Sequence, residues 1–280
     1  MDRKITELYI IMQPSERLTL NQNNLMLPRM DTIYIGYDWR EHQAVRILID
    51  SINRHASRPL NIVTLNQNAL RRAGLYRRTP ALNSTCWGTT QTGDMRDAFD
   101  LKPFSTDFSY SRFLIPMLNQ YEGYALFMDC DMYFRSDPCE LFDTFGTSDG
   151  PALRCVQHNY IGGNGLKMYG CPQTSYARKN WSSFMLFNCA HVAHHNLTVD
   201  DVNTKDGSWL HRLQWLKDED LGDLPEEWNW LDGHSPEDLE AKNVHFTTGG
   251  PWFESWKPKR PQDANYAQEW MHLADLQHES

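Results

Sequence analysis

A strand–helix–strand pattern near the start of the chain does most to limit its fold. Thr32-Ile-Tyr-Ile-Gly36 is a β-branched and aromatic run closed by glycine, the composition of a buried strand. Apolar residues then fall at Ala44, Val45, Leu48, Ile49 and Ile52, a helical spacing within residues 39–55. Leu60-Asn-Ile-Val-Thr-Leu65 reads as a second strand. Strand, helix and strand within about 35 residues make a βαβ unit, which implies parallel pairing with a helix laid across the sheet. A chain of 280 residues, 40% of them hydrophobic, can bury a core around such a unit. The expected class is α/β, with a central mixed, mainly parallel sheet flanked by helices.

The remaining segments extend this plan. Residues 1–30 are polar and turn-rich, with Gln13, Pro14 and the Asn21-Gln-Asn-Asn24 run, and read as an N-terminal appendage. Residues 31–256 read as one domain. Within it, residues 67–107 look irregular, Ser109–Leu118 reads as a helix despite Pro116, and Tyr124-Ala-Leu-Phe-Met128 reads as a buried strand. Ala152–Gln157 and Ser183–Phe187 are further strand candidates. Residues 257–280 form a polar tail with a short helix near Tyr266–Leu276.

Charge and cysteine usage narrow the partners. The net charge of -9 disfavours a polyanion ligand, so no nucleic-acid partner is expected; Arg71-Arg72 and Arg77-Arg78 read as solvated helix ends. No two of the six cysteines show C-x-x-C spacing, which disfavours a structural zinc site. There is no secretory leader pattern and no apolar run of about 18 residues. The expectation is a cytoplasmic protein with free thiols, without a transmembrane segment, for which peripheral membrane contact stays open.

Two features carry chemistry. Asp129-Cys130-Asp131 follows directly on the strand ending at Met128, at the carboxyl edge where α/β proteins bind ligands. Two carboxylates at that turn can face one hard cation, with a diphosphate completing its shell. A strand end capped by two solvated acids gives the same string. His245, in Val244-His-Phe-Thr-Thr-Gly-Gly-Pro-Trp252, adds an imidazole that would favour Mn²⁺ over Mg²⁺; a structural histidine is the alternative.

The stretch Phe104–Pro138, with Ser109-Tyr-Ser-Arg-Phe-Leu-Ile-Pro116 and Ala125-Leu-Phe-Met-Asp-Cys-Asp131, resembles the family 8 glycosyltransferases, which include glycogenin and bacterial lipopolysaccharide galactosyltransferases. Lys179–Cys189 and Leu224-Pro-Glu-Glu-Trp-Asn229 look like a bacterial and phage branch of such enzymes. The resemblance spans residues 31–256 and implies the GT-A type of nucleotide-sugar transferase fold. It implies a metal-dependent hexosyltransferase that uses a UDP-sugar donor and a glycan or lipid-linked acceptor, with retention. By the same resemblance Asp129, Asp131 and His245 hold the metal and Arg112 reaches the donor. Asp38 accepts from the uracil ring beside Gly36 and Tyr37, Cys130 lies within the donor-binding turn, and Ser182 and Ser183 line the sugar pocket. Asp218 and Glu219 fall where the family has residues close to the reacting carbon.

Three departures stand out. The family's C-terminal motif places a lysine on the diphosphate, whereas here Gly249-Gly250-Pro251 follows; the backbone N–H groups of Gly249 and Gly250 could form an anion nest instead, or Lys257 or Lys259 could supply the charge. Trp181 replaces an asparagine in the sugar-pocket segment, and Glu219 replaces a glutamine. Two other readings remain: a sugar-phosphate nucleotidyltransferase, disfavoured because Tyr37-Asp-Trp-Arg-Glu41 lacks a glycine-rich loop, and a non-catalytic nucleotide-sugar or carbohydrate-binding protein of the same fold.

Overall fold

The computed structural model describes residues 30–79, 96–102, 104–159, 178, 180–247 and 249–278. The expected appendage, apart from Met30, and Cys86 and Cys171 lie outside the described residues. The βαβ unit is present: β1 (Thr32–Gly36) and β2 (Asn61–Leu65) pair in parallel, joined through the helix His42–His55. That helix buries Ala44, Val45, Ile47, Leu48 and Ile52 along one face, the periodicity legible in the sequence. It is also stitched to the next sheet by one side chain. Ser51 Oγ donates to Leu48 O at 2.7 Å and accepts from Phe134 N at 3.0 Å.

Next come β3 (Tyr124–Met128), β4 (Met132–Phe134), β5 (Leu153–Cys155), β6 (Phe184–Asn188), β7 (Leu221–Asp223), β8 (Trp230–Leu231) and β9 (Asn243–His245). The main sheet has the order β2-β1-β3-β6-β5-β7, and only β6 runs against the other five strands. β1, β3 and β6 are buried along nearly their whole length, so they read as continuous apolar runs, not as alternation. A second, three-stranded sheet has the order β4-β9-β8.

The second sheet has its own core. Tyr133, Trp230, Val244 and Phe246 pack with Ile47 of the long helix and with Tyr266 and Trp270 of the helix Pro261–His278. Tyr266 meets Trp230 edge to face at 4.8 Å, and its hydroxyl accepts from Ala241 N at 3.1 Å. The C-terminal helix is therefore longer than the expected Tyr266–Leu276 and forms part of the body rather than a tail. Among the described residues no helix is long and apolar enough to cross a membrane.

Other departures from expectation have local causes. The segment Ser109–Leu118 divides into a 3-10 turn, Ser111–Leu114, and a short helix, Ile115–Leu118, because Pro116 lacks an N–H and fits only a first helical turn. The irregular stretch 67–107 contains a helix at Gln67–Arg72, capped by Asn66, whose side chain accepts from Ala69 N at 3.1 Å. Arg78 is not a solvated helix end: it is buried on Asp97 and on the carbonyls of Val202 and Lys205, 4.0 Å from the Tyr110 ring.

Gly36 closes β1 beneath the Phe108 ring. A Cβ there would lie 2.3 Å from Phe108 Cδ2, and Phe108 in turn packs against Phe127 and lies 5.1 Å from the Arg112 guanidinium. Gly36→Ala should therefore destabilise the fold by about 1–3 kcal/mol through overpacking. Denaturant unfolding with an unchanged midpoint would contradict this account of the glycine.

Candidate metal and donor site

The Asp-x-Asp turn is held from both sides. Asp129 N donates to Ser183 O at 2.9 Å, extending the β3–β6 ladder past Met128. Three residues later the chain enters β4, where Met132 pairs with His245 of β9 and Phe246 N donates to Asp131 O at 2.9 Å. One turn thus joins the main sheet to the small sheet, and that register sets His245 beside Asp131. His245 Nε2 lies 3.3 Å from Asp131 Oδ1. One ligand atom from each of Asp129, Asp131 and His245 lies within 4.8 Å of the others, a spacing that a single ion can bridge.

The imidazole is oriented from behind. His245 Nδ1 is 2.9 Å from Asn229 Oδ1, an acceptor, so Nδ1 donates there and Nε2 faces the carboxylates. Asn229 is itself fully buried and donates through Nδ2 to Ser183 Oγ at 3.1 Å; Ser183 Oγ donates to Asn180 O at 2.7 Å. Two carboxylates and an imidazole with its second nitrogen fixed are a donor set suited to a divalent transition ion. Asn229 was not singled out by its chemistry in the sequence, although it ends the Leu224–Asn229 stretch. A polar side chain between Trp228 and Trp230 is the signal that marks it.

Arg112 clamps the other carboxylate. Its Nη1 donates to Asp129 Oδ1 at 2.7 Å and to Ser182 O at 2.8 Å, while its guanidinium carbon lies 5.0 Å from the Phe127 ring centre and 5.1 Å from that of Phe108. Buried between two rings, it fixes Asp129 and offsets part of the negative charge of the turn.

Behind the turn, Cys130 Sγ donates to Glu41 Oε2 at 3.3 Å. Burial, and then the carboxylates of Asp131 and Asp38, push the Glu41 carboxyl well above the usual range. Burial likewise pushes the Cys130 thiol up. Cys130 is therefore a correction: its side chain points into the core, and only its backbone belongs to the Asp-x-Asp turn.

Several residues assigned by resemblance are placed differently. Asp38 is fully buried and caps the turn Trp39–Glu41. Its Oδ1 accepts from Arg40 N at 3.0 Å and Arg40 Nε at 2.8 Å, and its Oδ2 from Arg40 Nη2 and from Asp107 N at 3.1 Å. With its lone pairs so committed, Asp38 holds Arg40 and the 105–107 segment in place of a uracil ring. Gly36 faces Phe108 instead of a base, whereas Tyr37 stays partly exposed, with its hydroxyl 3.3 Å from His42 Nδ1. Ser182 Oγ pairs with His211 Nδ1 at 2.8 Å, so both serine hydroxyls are bound to protein groups. Gly249 adopts φ +96° and donates its N–H to Phe246 O at 3.1 Å, which removes one N–H from the expected anion nest. Gly250 is required by Trp252, whose ring a Cβ would approach to 2.1 Å. Lys259 lies along Gly233, where its field acts on Asp232, the residue that anchors Thr247 N at 2.7 Å.

Asp218 and Glu219 are not gathered with this cluster. Their side chains are 91% and 74% exposed and pair with Arg178 and Lys217. They precede β7, whose first residue, Leu221, is level with Leu153, Phe187 and Ala125. That is the amino end of β3, whereas Asp129 follows its carboxyl end. Strand direction therefore separates them from the turn, and they are corrected to an exposed acidic loop.

If Asn229 fixes the His245 tautomer, Asn229→Ala should weaken divalent-ion binding roughly 10–100-fold, the usual effect of losing such a partner. Calorimetric titration with Mn²⁺ reads this directly, and wild-type affinity would refute it.

No family model matches the sequence. Protein CDI of Arabidopsis thaliana is 40% identical over 244 residues, covering 85% of this chain and 84% of that protein. Among solved structures, the glycosyltransferase GlyE of Streptococcus pneumoniae TIGR4 superposes with a TM-score of 0.50 at 15% identity, over 88% of this chain and 62% of GlyE. An active-site mutant of LgtC superposes with a TM-score of 0.50 at 12% identity, over 88% of this chain and 95% of LgtC. The chain thus spans less than two thirds of GlyE and nearly all of LgtC. At these identities the likeness concerns the fold, and the fold is that of the GT-A glycosyltransferases. The sequence match fixes the kinship: the chain belongs to the family of Protein CDI.

Proposed function

We propose that this chain is a metal-dependent glycosyltransferase that moves a hexose from a UDP-sugar to a glycan or lipid-linked acceptor, with retention of configuration. The observation that carries this reading is the convergence of Asp129, Asp131 and His245 at the carboxyl end of β3, where the fold leaves its ligand edge. The imidazole in the set favours Mn²⁺ over Mg²⁺. When bound, the ion acts as a Lewis acid for the departing diphosphate.

The protein's own groups account for the rest. Asp131 and His245, joined by the β4–β9 register, present their ligand atoms without rearrangement. Arg112 keeps Asp129 aimed and stays charged in its aromatic sleeve. Tyr37, partly exposed at the end of β1, is the remaining platform for a base. Asp218 and Glu219 sit in solvent and are not assigned to the reacting carbon.

Asp131→Ala should abolish Mn²⁺-dependent hydrolysis of the donor while leaving unfolding cooperative, and unchanged turnover would reject the metal assignment. His245→Ala should depress Mn²⁺-supported turnover more than Mg²⁺-supported turnover; equal losses with the two ions would reject the imidazole ligand. Tight Mn²⁺–UDP binding by the wild type, with no transfer or hydrolysis of any UDP-sugar, would favour a non-catalytic nucleotide-sugar-binding protein.

A further inference from the structure

A second imidazole stands beside the cluster. His158 lies three residues beyond β5, on the carboxyl side of the sheet, and its carbonyl accepts from Trp181 Nε1 at 3.1 Å. Its ring is hydrogen-bonded to the backbone of Asn229, the residue whose side chain orients His245. Nε2 of His158 is shut off from solvent and has no hydrogen-bond partner among the described residues, so the bond to Asn229 is made by Nδ1. That bond favours the protonated ring, as it does when a ring N–H donates to a carbonyl. One asparagine thus carries two imidazoles, each held through Nδ1 and each leaving Nε2 for something else.

Burial pushes the His158 pKa down to about 3. The ring is neutral at physiological pH, and with Nδ1–H donating, Nε2 is an acceptor only. A sheltered acceptor with no donor is a deficit that a bound ligand can remove. His158 is not part of the three-residue group that can close on one ion. What its Nε2 lacks is an O–H donor, not a place in the ion's inner shell.

We propose that His158 is a further donor-site residue, whose Nε2 accepts a hydrogen bond from an O–H group held at the site, either a hydroxyl of the donor sugar or a water on the ion. This rests on reading Asp129, Asp131 and His245 as a metal and nucleotide-sugar site. It also gives Trp181 a task, since Trp181 holds the His158 backbone in the segment where the resembled family carries an asparagine. Sugar recognition then runs through a histidine of the 156–159 segment and a tryptophan of the 181–183 turn.

The test uses the full chain with His158→Ala and His158→Gln, the latter keeping an acceptor near the Nε2 position. Calorimetry with Mn²⁺ plus UDP is compared with hydrolysis of UDP-glucose, UDP-galactose and UDP-N-acetylglucosamine. His158→Ala should lower kcat/KM for the preferred donor roughly tenfold, the effect of one lost hydrogen bond, with partial recovery in His158→Gln. Loss confined to the UDP-sugars identifies a sugar hydroxyl; loss already present with Mn²⁺ and UDP alone identifies metal-bound water. An independent readout is the ¹⁵N shift of the His158 ring, which should move when donor binds. Wild-type values for both variants, with no ¹⁵N change, would overturn the assignment while leaving the metal site standing. If the wild type binds neither Mn²⁺–UDP nor any of the three donors, the donor-site reading fails, and this inference fails with it.

Discussion

The antiparallel pairing of β4 with β9 is the constraint on which the site depends. It sets Met132 opposite His245 and, through the Phe246 N to Asp131 O bond, brings an imidazole from late in the chain against the second acid of the turn. On the other side the same turn is tied to β6 by the Asp129 N to Ser183 O bond. Neither sheet alone assembles the cluster. The main sheet supplies the carboxylate positions, the small sheet supplies the imidazole, and buried Asn229 links them by bonding both His245 and Ser183.

Charge is managed around this junction with few groups. Arg112 is bonded directly to the turn, set between Phe108 and Phe127 where water cannot screen it. Behind the turn, burial and then Asp131 and Asp38 push the Glu41 carboxyl well above the usual range, which opposes a third negative charge there. Asp38, although fully buried, is balanced by Arg40 and by a backbone N–H. The result is a pair of carboxylates, one guided by a guanidinium and one by an imidazole, with Asp38 paired to Arg40.

The parts of the fold that the sequence made legible are those where burial is continuous or periodic. β1 and β3 match their apolar runs residue for residue, because both strands are covered on both faces. The long helix follows from its apolar spacing, with Trp39–Glu41 forming a separate 3-10 turn ahead of it. The small sheet was not legible: its strands are two or three residues long, too short to show alternation, and they exist through pairing across distant segments. Site residues divide in the same way. The Asp129–Asp131 pair shows in the sequence because it directly follows a strand. His245 needed a resemblance to single it out among eleven histidines. Asp38 and Glu219 went astray because a motif position specifies residue type and not solvent access: one is sealed in by Arg40 and the other stands in water.

The turn between the two sheets has a mechanical consequence. In a strand pair, a shift of one residue reverses the faces on which side chains stand, so a slip between β4 and β9 would turn His245 away from Asp131. The helix Pro261–His278, wedged against β4 and β8 through Tyr133, Trp230 and Tyr266, opposes such a slip. Ligand affinity at the carboxylates would therefore be sensitive to damage at the far C-terminus, with truncation of the last helix acting as an indirect inactivator without touching a liganding atom.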